Sequence, residues 1–223
     1  MSRLKNKVDF MAFGAHADDV ELGCGGTLAK MLSQGYSGVI VDLCDATMAS
    51  RGNSEIRREE AKAAAKVLNV DSKGQLIRIN LGLRDAHLNT SEECLHPVIQ
   101  VIREYQPDFL YTHSEDETHP DHMITARLVK DAWYKAGLKM LLPKFDSWRA
   151  SRIYHYMGAV DFEPTFCVDI SNFWEVKRDA LACYWTQFHH PQAADVKGVS
   201  QVSSPEFMEA LRVRNEFYGR RIR

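Results

Sequence analysis

The sequence predicts an α/β protein of the Rossmann-like type, in which a mostly parallel sheet carries helices on both faces. From residue 8 to residue 157, short apolar runs alternate with longer stretches of helical periodicity. Such alternation is typical of parallel sheets, because consecutive parallel strands need a crossover connection. The first apolar run is followed at once by a polar, glycine-containing turn, and open α/β sheets place their sites at the carboxyl ends of strands.

The strands are predicted from short apolar runs, and the helices from apolar positions three and four residues apart. The predicted strands are 8–15, 38–44, 75–81, 108–113, 153–157 and 166–170, and the predicted helices are 21–35, 54–69, 94–105, 121–137, 173–184 and 205–218. In the third helix Leu95, Val98 and Ile102 share one apolar face. Pro97 is tolerated there because it lies in the first turn.

The chain organisation predicts one domain, 1–223, because 223 residues suit a single core and no repeat or linker interrupts them. One segment stands out within it. The polar stretch 188–205 is long for a connection in a compact domain, which predicts either a lid over a site or a plain surface loop.

The composition favours a small-molecule partner. Lys and Arg together number 28 against 30 Asp and Glu, so no broad basic surface is available for nucleic acid or an anionic membrane. No apolar run is long enough for a membrane span, and the first residues lack the pattern of a signal peptide, so we expect a cytoplasmic protein. The five cysteines are widely spaced without a C-x-x-C pair, which predicts reduced thiols.

The segment GAHADDVELGCGG, residues 14–26, allows a phosphate site or a metal site. A dinucleotide fingerprint needs a third glycine at the position that Leu28 occupies, and Asp18 and Asp19 would repel a phosphate. The glycines are better explained by close packing of the first helix. A metal site is the favoured interpretation.

A second polar cluster supports the metal interpretation. THSEDETHPDH, residues 112–122, follows the fourth predicted strand and ends with His119, Asp121 and His122. In a doubly wound sheet the first and fourth strand ends can be neighbours, so the two clusters can converge. His16, Asp19 and His122 would supply two imidazoles and one carboxylate, with an open position for water, as in catalytic zinc sites.

Adjacent carboxylates point in different directions, so we expect one to bind the ion and the other to act in catalysis. Asp18 would then be the general base toward a water whose pKa the ion lowers. His113 is a further candidate ligand, but the expected role is to support the ligands. The alternative for the first cluster is plain helix capping, since Asp favours a helix start.

The motifs AHADD at 15–19 and HPDH at 119–122 resemble those of the LmbE-like (PIG-L type) family of zinc-dependent N-deacetylases. The similarity extends to RGNSEIRREEAKAAAKVLNV at 51–70 and ACYWTQF at 182–188, while Ala17 replaces the proline usual in the first motif. The resemblance implies His16, Asp19 and His122 as metal ligands and Asp18 as general base. It also implies that His119 stabilises the oxyanion or protonates the amine and that Asp121 holds His119. Arg57 matches an active-site arginine, although a solvated helix arginine is an equal alternative from sequence.

The function implied by the resemblance is hydrolysis of the N-acetyl group of an amino sugar. Among members, the chain resembles small bacterial enzymes that act on N-acetylglucosaminyl malate in bacillithiol synthesis or on short N-acetylglucosamine-containing sugars. The implied ion is zinc, with Fe(II) or another divalent metal as the alternative. The implied assembly is a homo-oligomer, a trimer or hexamer.

Two other classes of protein fit parts of this sequence pattern. Non-haem iron oxygenases use two histidines and one carboxylate, here His16, Asp18 and His122, although those enzymes usually have a double-sheet β barrel. A nucleotide-binding or regulatory Rossmann-like domain without catalysis is the other alternative. Nucleotide binding that resists chelators would favour it.

Overall fold

The computed structural model describes residues 7–48, 51–69, 72–188 and 201–222 of the chain. The strands are β1 (Phe10–Gly14), β2 (Gly38–Cys44), β3 (Leu76–Leu83), β4 (Phe109–His113) and β5 (Arg152–Tyr156). The helices are α1 (Asp19–Ser33), α2 (Ser54–Leu68), α3 (Glu92–Tyr105), α4 (Pro120–Ala136), α5 (Trp174–Ala182) and α6 (Pro205–Gly219).

The five strands form one parallel sheet in the order β3-β2-β1-β4-β5. This order places β1 in the centre, beside both β2 and β4. The chain leaves β1 toward β2 and β3, then crosses back to β4, so the strand order reverses between β1 and β4. The predicted α/β class is confirmed, and the fold differs from the β barrel expected for iron oxygenases.

Helices cover both faces of the sheet because side chains alternate along each strand. On one side Met11 and Phe13 of β1 join a core formed with α3 and α4. On the other, Phe10 and Ala12 join a core formed with α1, α2 and α5. Among the described residues, no helix combines the length and apolar character needed to cross a bilayer.

Gly23, Gly25 and Gly26 of the first polar cluster lie inside α1, not in a phosphate-binding loop. A Cβ atom at Gly23 would lie 2.1 Å from the ring of Tyr156, and one at Gly26 would lie 2.6 Å from Ile170. Both distances are well below van der Waals contact. Glycine therefore allows α1 to approach its neighbours, as the sequence analysis favoured.

One predicted strand is wrong: residues 166–170 form no strand. Backbone groups in and next to this segment form hydrogen bonds with side chains instead of with a neighbouring strand. Asp169 accepts a hydrogen bond from the backbone N–H of Ser171 at 2.9 Å, and its carbonyl accepts one from Lys30 at 2.9 Å. Most of the predicted lid segment, 188–205, lies outside the described residues, so its role stays a prediction.

Candidate metal centre and active site

The candidate site lies at the carboxyl ends of β1, β3 and β4. His16 and Asp18 occupy the turn between β1 and α1, and Asp19 is the first residue of α1. His119 precedes α4, and His122 lies in its first turn. Because β1 pairs directly with β4, the two polar clusters converge.

Asp19 lies between the two histidines predicted to bind metal. Its Oδ1 atom is 3.2 Å from Nε2 of His122, and its Oδ2 atom is 3.7 Å from Nδ1 of His16. The ring centroids of the two histidines are 5.7 Å apart. The structure therefore brings the three predicted ligands together around one carboxylate.

Asp85 and Asp121 orient the imidazole of His16. Nε2 of His16 lies 3.2 Å from Oδ1 of Asp85 and 3.4 Å from Oδ2 of Asp121. In the neutral imidazole, the form that binds a metal ion, a proton on Nε2 would be shared with these carboxylates and the lone pair of Nδ1 would lie on the side of Asp19. Carboxylate partners of this kind fix the tautomer and orientation of metal-binding histidines.

Contacts of the Oδ2 atom fix the orientation of the Asp19 carboxylate. Oδ2 accepts a hydrogen bond from the backbone N–H of His16 at 2.8 Å and lies 3.1 Å from Nε2 of the buried His113. Oδ1 consequently faces His122 without sharing these contacts. His113 lies where the expected supporting role requires it.

The electrostatic field of the site favours positive charge. Burial alone would lower the pKa of His16, but Asp121, Asp85 and Asp19 outweigh it and raise the pKa to about 10. Burial also opposes charge on His122, yet Asp19 and Glu117 raise its pKa to about 10. A bound cation would satisfy the same carboxylates.

The donor chemistry fits a divalent metal ion. In the described ranges, three groups of donor atoms lie within 4.8 Å of one another: His16, His119 and His122; His16, Cys44, Asp85 and Asp121; and Asp19, His113 and His122. The predicted set of His16, Asp19 and His122 is divided between the first and the third group. Two imidazoles and one carboxylate match the protein ligands of catalytic zinc sites.

Asp18 is positioned apart from these ligands. It occupies the N-cap position of α1 with a left-handed φ of 116°, and its side chain makes no capping hydrogen bond. Such backbone conformations are strained for residues other than glycine and concentrate at functional sites. The helix-capping explanation therefore does not account for Asp18.

Arg57 is buried beside Asp18 instead of being solvated. Its Nη1 lies 3.4 Å from Oδ2 of Asp18, its Nη2 donates to the carbonyl of Ala17, and its guanidinium stacks over the ring of Tyr184 at 5.4 Å. Burial raises the pKa of Asp18 to about 6, although Arg57 acts in the opposite direction. A carboxylate near this pKa can accept a proton at neutral pH.

His119 is held by the backbone of Asp121, whereas the resemblance implied that the Asp121 side chain holds it. Its Nδ1 accepts a hydrogen bond from the backbone N–H of Asp121 at 3.2 Å, so a neutral ring carries its proton on Nε2. Burial, followed by His122 and His16, lowers the pKa of His119, which favours that neutral ring. The Asp121 carboxylate instead accepts from the backbone N–H of Ala86 at 3.0 Å and lies near His16. The first turn of α4 directs this side chain toward β3, so Asp121 holds His119 through its backbone.

Both polar clusters lie in the part of the chain that matches a known protein family. The model described as GlcNAc-PI de-N-acetylase (PIG-L) matches residues 11–133, which include both polar clusters. The chain belongs to the PIG-L family. This match confirms the resemblance to LmbE-like (PIG-L type) proteins and, together with the relatives below, the predicted enzyme class, an N-deacetylase.

Proteins similar to this PIG-L protein include a deacetylase and a conserved protein whose crystal structure is known. It is 30% identical over 191 residues to diacetylchitobiose deacetylase of Thermococcus kodakarensis, covering 78% of this chain and 67% of the relative. It is similar to the crystal structure of the conserved protein TT1542 from Thermus thermophilus, with 32% identity, a TM-score of 0.84, and coverage of 96% of this chain and 90% of the other.

A third relative has a different named activity. The chain is 26% identical over 199 residues to 4-oxalmesaconate hydratase of Pseudomonas putida, covering 80% of this chain and 74% of the relative. Relatives of this PIG-L chain therefore include both a deacetylase and a hydratase.

Two acidic residues of this PIG-L site, Asp85 and Glu117, were not predicted from the sequence. Asp85 follows β3, whose carboxyl end lies at the same edge as those of β1 and β4. The strand-end rule could have found it, but the predicted strand ended at residue 81. Glu117 lies within the second polar cluster, 3.7 Å from Nδ1 of His122, and no spacing rule distinguished it from its acidic neighbours.

Proposed function

We propose that the protein is a metal-dependent hydrolase that removes the N-acetyl group from an N-acetylglucosamine-containing conjugate. The observation that carries this proposal is the division between adjacent carboxylates: Asp19 faces His16 and His122, while Asp18 faces Arg57. Hydrolysis of an amide needs both an electrophilic centre and a base. The family match and the deacetylase relative support the acetamide as the bond that is cleaved.

In the proposed reaction, water attacks the acetyl carbon, the C–N bond breaks, and acetate and a free amine are released. An ion held by His16, Asp19 and His122 would supply Lewis-acid chemistry by polarising the acyl oxygen and acidifying water. Asp18 takes a proton from the attacking water and passes it toward the departing nitrogen. Nε2–H of His119 donates to the oxygen that becomes negative.

Arg57 acts through Asp18 in this scheme. Its guanidinium lies 3.3 Å from Oδ1 of Asp18 and stabilises the carboxylate form, while burial favours the neutral acid. The balance keeps the Asp18 carboxyl able to gain and lose a proton in one catalytic cycle. Asp121 and Asp85 serve by holding His16.

The finer proposal concerns the ion, the substrate and the assembly. We propose zinc as the ion, with Fe(II) as the alternative, and N-acetylglucosaminyl malate of bacillithiol synthesis as the conjugate. A cytoplasmic location and a trimeric or hexameric assembly remain predictions from the sequence. The sequence resemblance supports malate as the aglycone.

The deciding experiment measures amine release from a series of N-acetylglucosamine conjugates by the zinc-loaded enzyme. Free N-acetylglucosamine, diacetylchitobiose and N-acetylglucosaminyl malate would be compared at equal concentration. We expect amine release that a chelator abolishes and zinc restores, with the malate conjugate turned over fastest. Absence of amine release from every acetamido sugar by metal-replete enzyme would reject the deacetylase proposal.

The hydratase relative supports a second candidate, addition of water to an unsaturated tricarboxylic acid. Asp18 would again take a proton from the attacking water. Loss of the ultraviolet absorbance of 4-oxalmesaconate, with no amine release from acetamido sugars, would favour this candidate over the first.

A further inference from the structure

A large cavity lies on the α1 side of the sheet, away from the metal centre. It measures about 1310 Å³ and is bounded by α1, the outer strand β5, the segment 162–171, α5 and α6. None of the candidate metal ligands His16, Asp19 and His122 lines it. Its volume exceeds the roughly 300–1,000 Å³ of typical small-molecule pockets.

Lys177 of α5 lines this cavity and is buried, with 2% of its surface exposed. In the part of the chain that the structure describes, its ammonium group forms no hydrogen bond or ion pair. Burial lowers the pKa of Lys177 to about 8, so the side chain is still mainly charged at neutral pH. A buried charge without a partner is costly, which is why buried charges are normally paired.

The acidic side chains that line the cavity have other partners. The pairs are Glu115 with Lys130, Glu163 with Arg221, Glu175 with Arg178, Glu216 with Arg212, and Asp169 with Ser171. The groups that act on Lys177 are the thiol of Cys24 and the guanidinium of Arg214. Burial raises the pKa of Cys24 far above its usual range, so the thiol is neutral. Among the described residues, none of the acidic side chains that line the cavity therefore pairs with Lys177.

The remaining walls are largely apolar and aromatic. Tyr154 and Phe166 meet edge to face with ring centroids 5.4 Å apart, and Trp174 and Ile153 contribute further apolar surface. A ligand that fits these walls combines an apolar body with one anionic group. A carboxylate carries one negative charge, which matches the single positive charge of one ammonium group in a charge-assisted hydrogen bond.

We propose that this cavity binds an amphipathic monocarboxylate, with its carboxylate on Lys177 and its apolar chain against Tyr154, Phe166 and Trp174. The ligand supplies the counter-charge that the protein lacks around Lys177.

The test uses the zinc-loaded, full-length protein and decanoate as the probe, with 1-decanol and decylamine as neutral and cationic controls. Calorimetry should give binding of decanoate and clearly weaker binding of both controls. In Lys177→Met the affinity for decanoate should fall by about 10- to 100-fold, the loss expected for one charged hydrogen bond, while decanol binding stays unchanged. Equal affinity of decanoate for the variant, or binding of decylamine as tight as that of decanoate, would overturn the proposal.

A second measurement locates the ligand without altering Lys177. Trp174 lines the cavity, so 10-bromodecanoate should quench part of the tryptophan fluorescence. In Trp174→Phe that quenching should disappear, although Trp133, Trp148 and Trp185 remain. Quenching that persists in Trp174→Phe would place the ligand elsewhere and reject the site.

The unliganded Lys177→Met protein separates binding from a structural role. Removal of an unpaired buried charge should leave the melting temperature equal to or above that of the wild type. Lys177→Gln, which keeps a polar end group, should behave as Lys177→Met toward decanoate. A large fall in melting temperature in both variants, with no decanoate binding by the wild type, would show that Lys177 is structural.

Discussion

Asp18 and Asp19 are adjacent in the chain, yet their carboxylates have different neighbours. Asp19 begins α1 and has His16, His113 and His122 around it, whereas Asp18 adopts φ 116° and faces Arg57. The left-handed backbone at Asp18 turns the two side chains apart. One residue can therefore bind an ion while the other remains free to accept a proton.

Asp18→Asn is expected to retain zinc and lose most turnover. The substitution removes a proton acceptor but leaves His16, Asp19 and His122 in place, so kcat should fall by about 10²- to 10⁴-fold. Asp19→Asn should instead lose metal, because it removes the carboxylate between both histidines. Metal content by mass spectrometry and amine release would be measured for each variant. Loss of zinc from Asp18→Asn with retention in Asp19→Asn would reverse the two roles.

Asp85→Asn is expected to weaken metal binding without removing a ligand. Asp85 accepts from Nε2 of His16 and from the backbone N–H of Met48, so the amide would disturb the orientation of His16. We expect zinc affinity to fall by about 10- to 100-fold, measured by competition with a chelating dye. Asp45→Asn is the matched control, since Asp45 contacts only the nearby backbone of Thr47 among its described hydrogen bonds. Equal affinities for the two variants would exclude an orienting role for Asp85.

The sequence was sufficient to place the polar clusters but not every side chain. Both clusters follow strands, and parallel strands end at one edge, so convergence could be predicted. The contact of Asp121 with His16 could not, because it depends on where the start of α4 lies relative to β3. Spacing of residues along one helix carries no information about a neighbouring strand.

At the scale of the elements, α1 illustrates how closely the helices approach the sheet. Gly23 and Gly25 are both buried or nearly so in the same helix, yet their surroundings differ. A Cβ at Gly23 would overlap the ring of Tyr156, whereas the nearest atom to a Cβ at Gly25 is 3.7 Å away. The same substitution should therefore have opposite effects at the two positions.

Gly23→Ala is expected to destabilise the protein by about 1–3 kcal/mol, because overpacking displaces Tyr156. Gly25→Ala should stabilise it by about 0.5–1 kcal/mol, since alanine lowers the entropic cost of helix formation. Denaturant unfolding of both variants gives the two free energies. A stabilising Gly23→Ala would mean that α1 does not approach β5 as closely as the structure shows.

A contact between α2 and the segment after α5 holds Arg57, which faces Asp18. Glu60 accepts hydrogen bonds from the backbone N–H of Thr186 at 2.8 Å and from its hydroxyl at 2.9 Å. The same carboxylate lies 3.9 Å from Nη1 of Arg57. Glu60 therefore ties the chain after α5 to the arginine beside Asp18.

Glu60→Gln is expected to lower kcat on the order of tenfold while zinc affinity stays unchanged, because only the placement of Arg57 and Asp18 is disturbed. The neighbouring Glu59→Gln is the matched control, since Glu59 is exposed and pairs with Lys62. Kinetics at saturating substrate, together with the zinc titration, distinguish the two variants. A parallel loss of zinc from Glu60→Gln would indicate general distortion of the site instead.

Most elements could be predicted because apolar periodicity is strong in a sheet that is buried on both faces. β2 matches its predicted bounds, and α2 differs from its prediction by one residue. Residues 166–170 have a similar apolar composition, but Asp169 binds the following backbone and Ile170 packs on Gly26. Apolar composition alone does not distinguish a strand from an extended segment that packs on a helix.

At the scale of the whole molecule, the candidate metal centre brings together residues that are distant in sequence. His16 follows β1 and His122 lies in α4, so an ion bound by both links the two sides of the point where strand order reverses. Without an ion, several carboxylates and imidazoles are confined together in a small buried region. We therefore expect the ion to stabilise the whole fold, which should unfold in one cooperative step if the chain is the predicted single domain.

Removal of metal should lower the melting temperature of the entire chain in a single transition. A ligand that binds only the folded state stabilises it by about 4 kcal/mol when its free concentration is a thousand times its Kd. We expect a chelator to lower the melting temperature by several degrees and added zinc to restore it, as measured by calorimetry. In His122→Ala, which lacks one ligand, zinc should have little effect, while His96→Ala on α3 should respond as the wild type does. Two separate transitions, of which only one responds to zinc, would contradict both the single domain and the coupling of the metal to the fold.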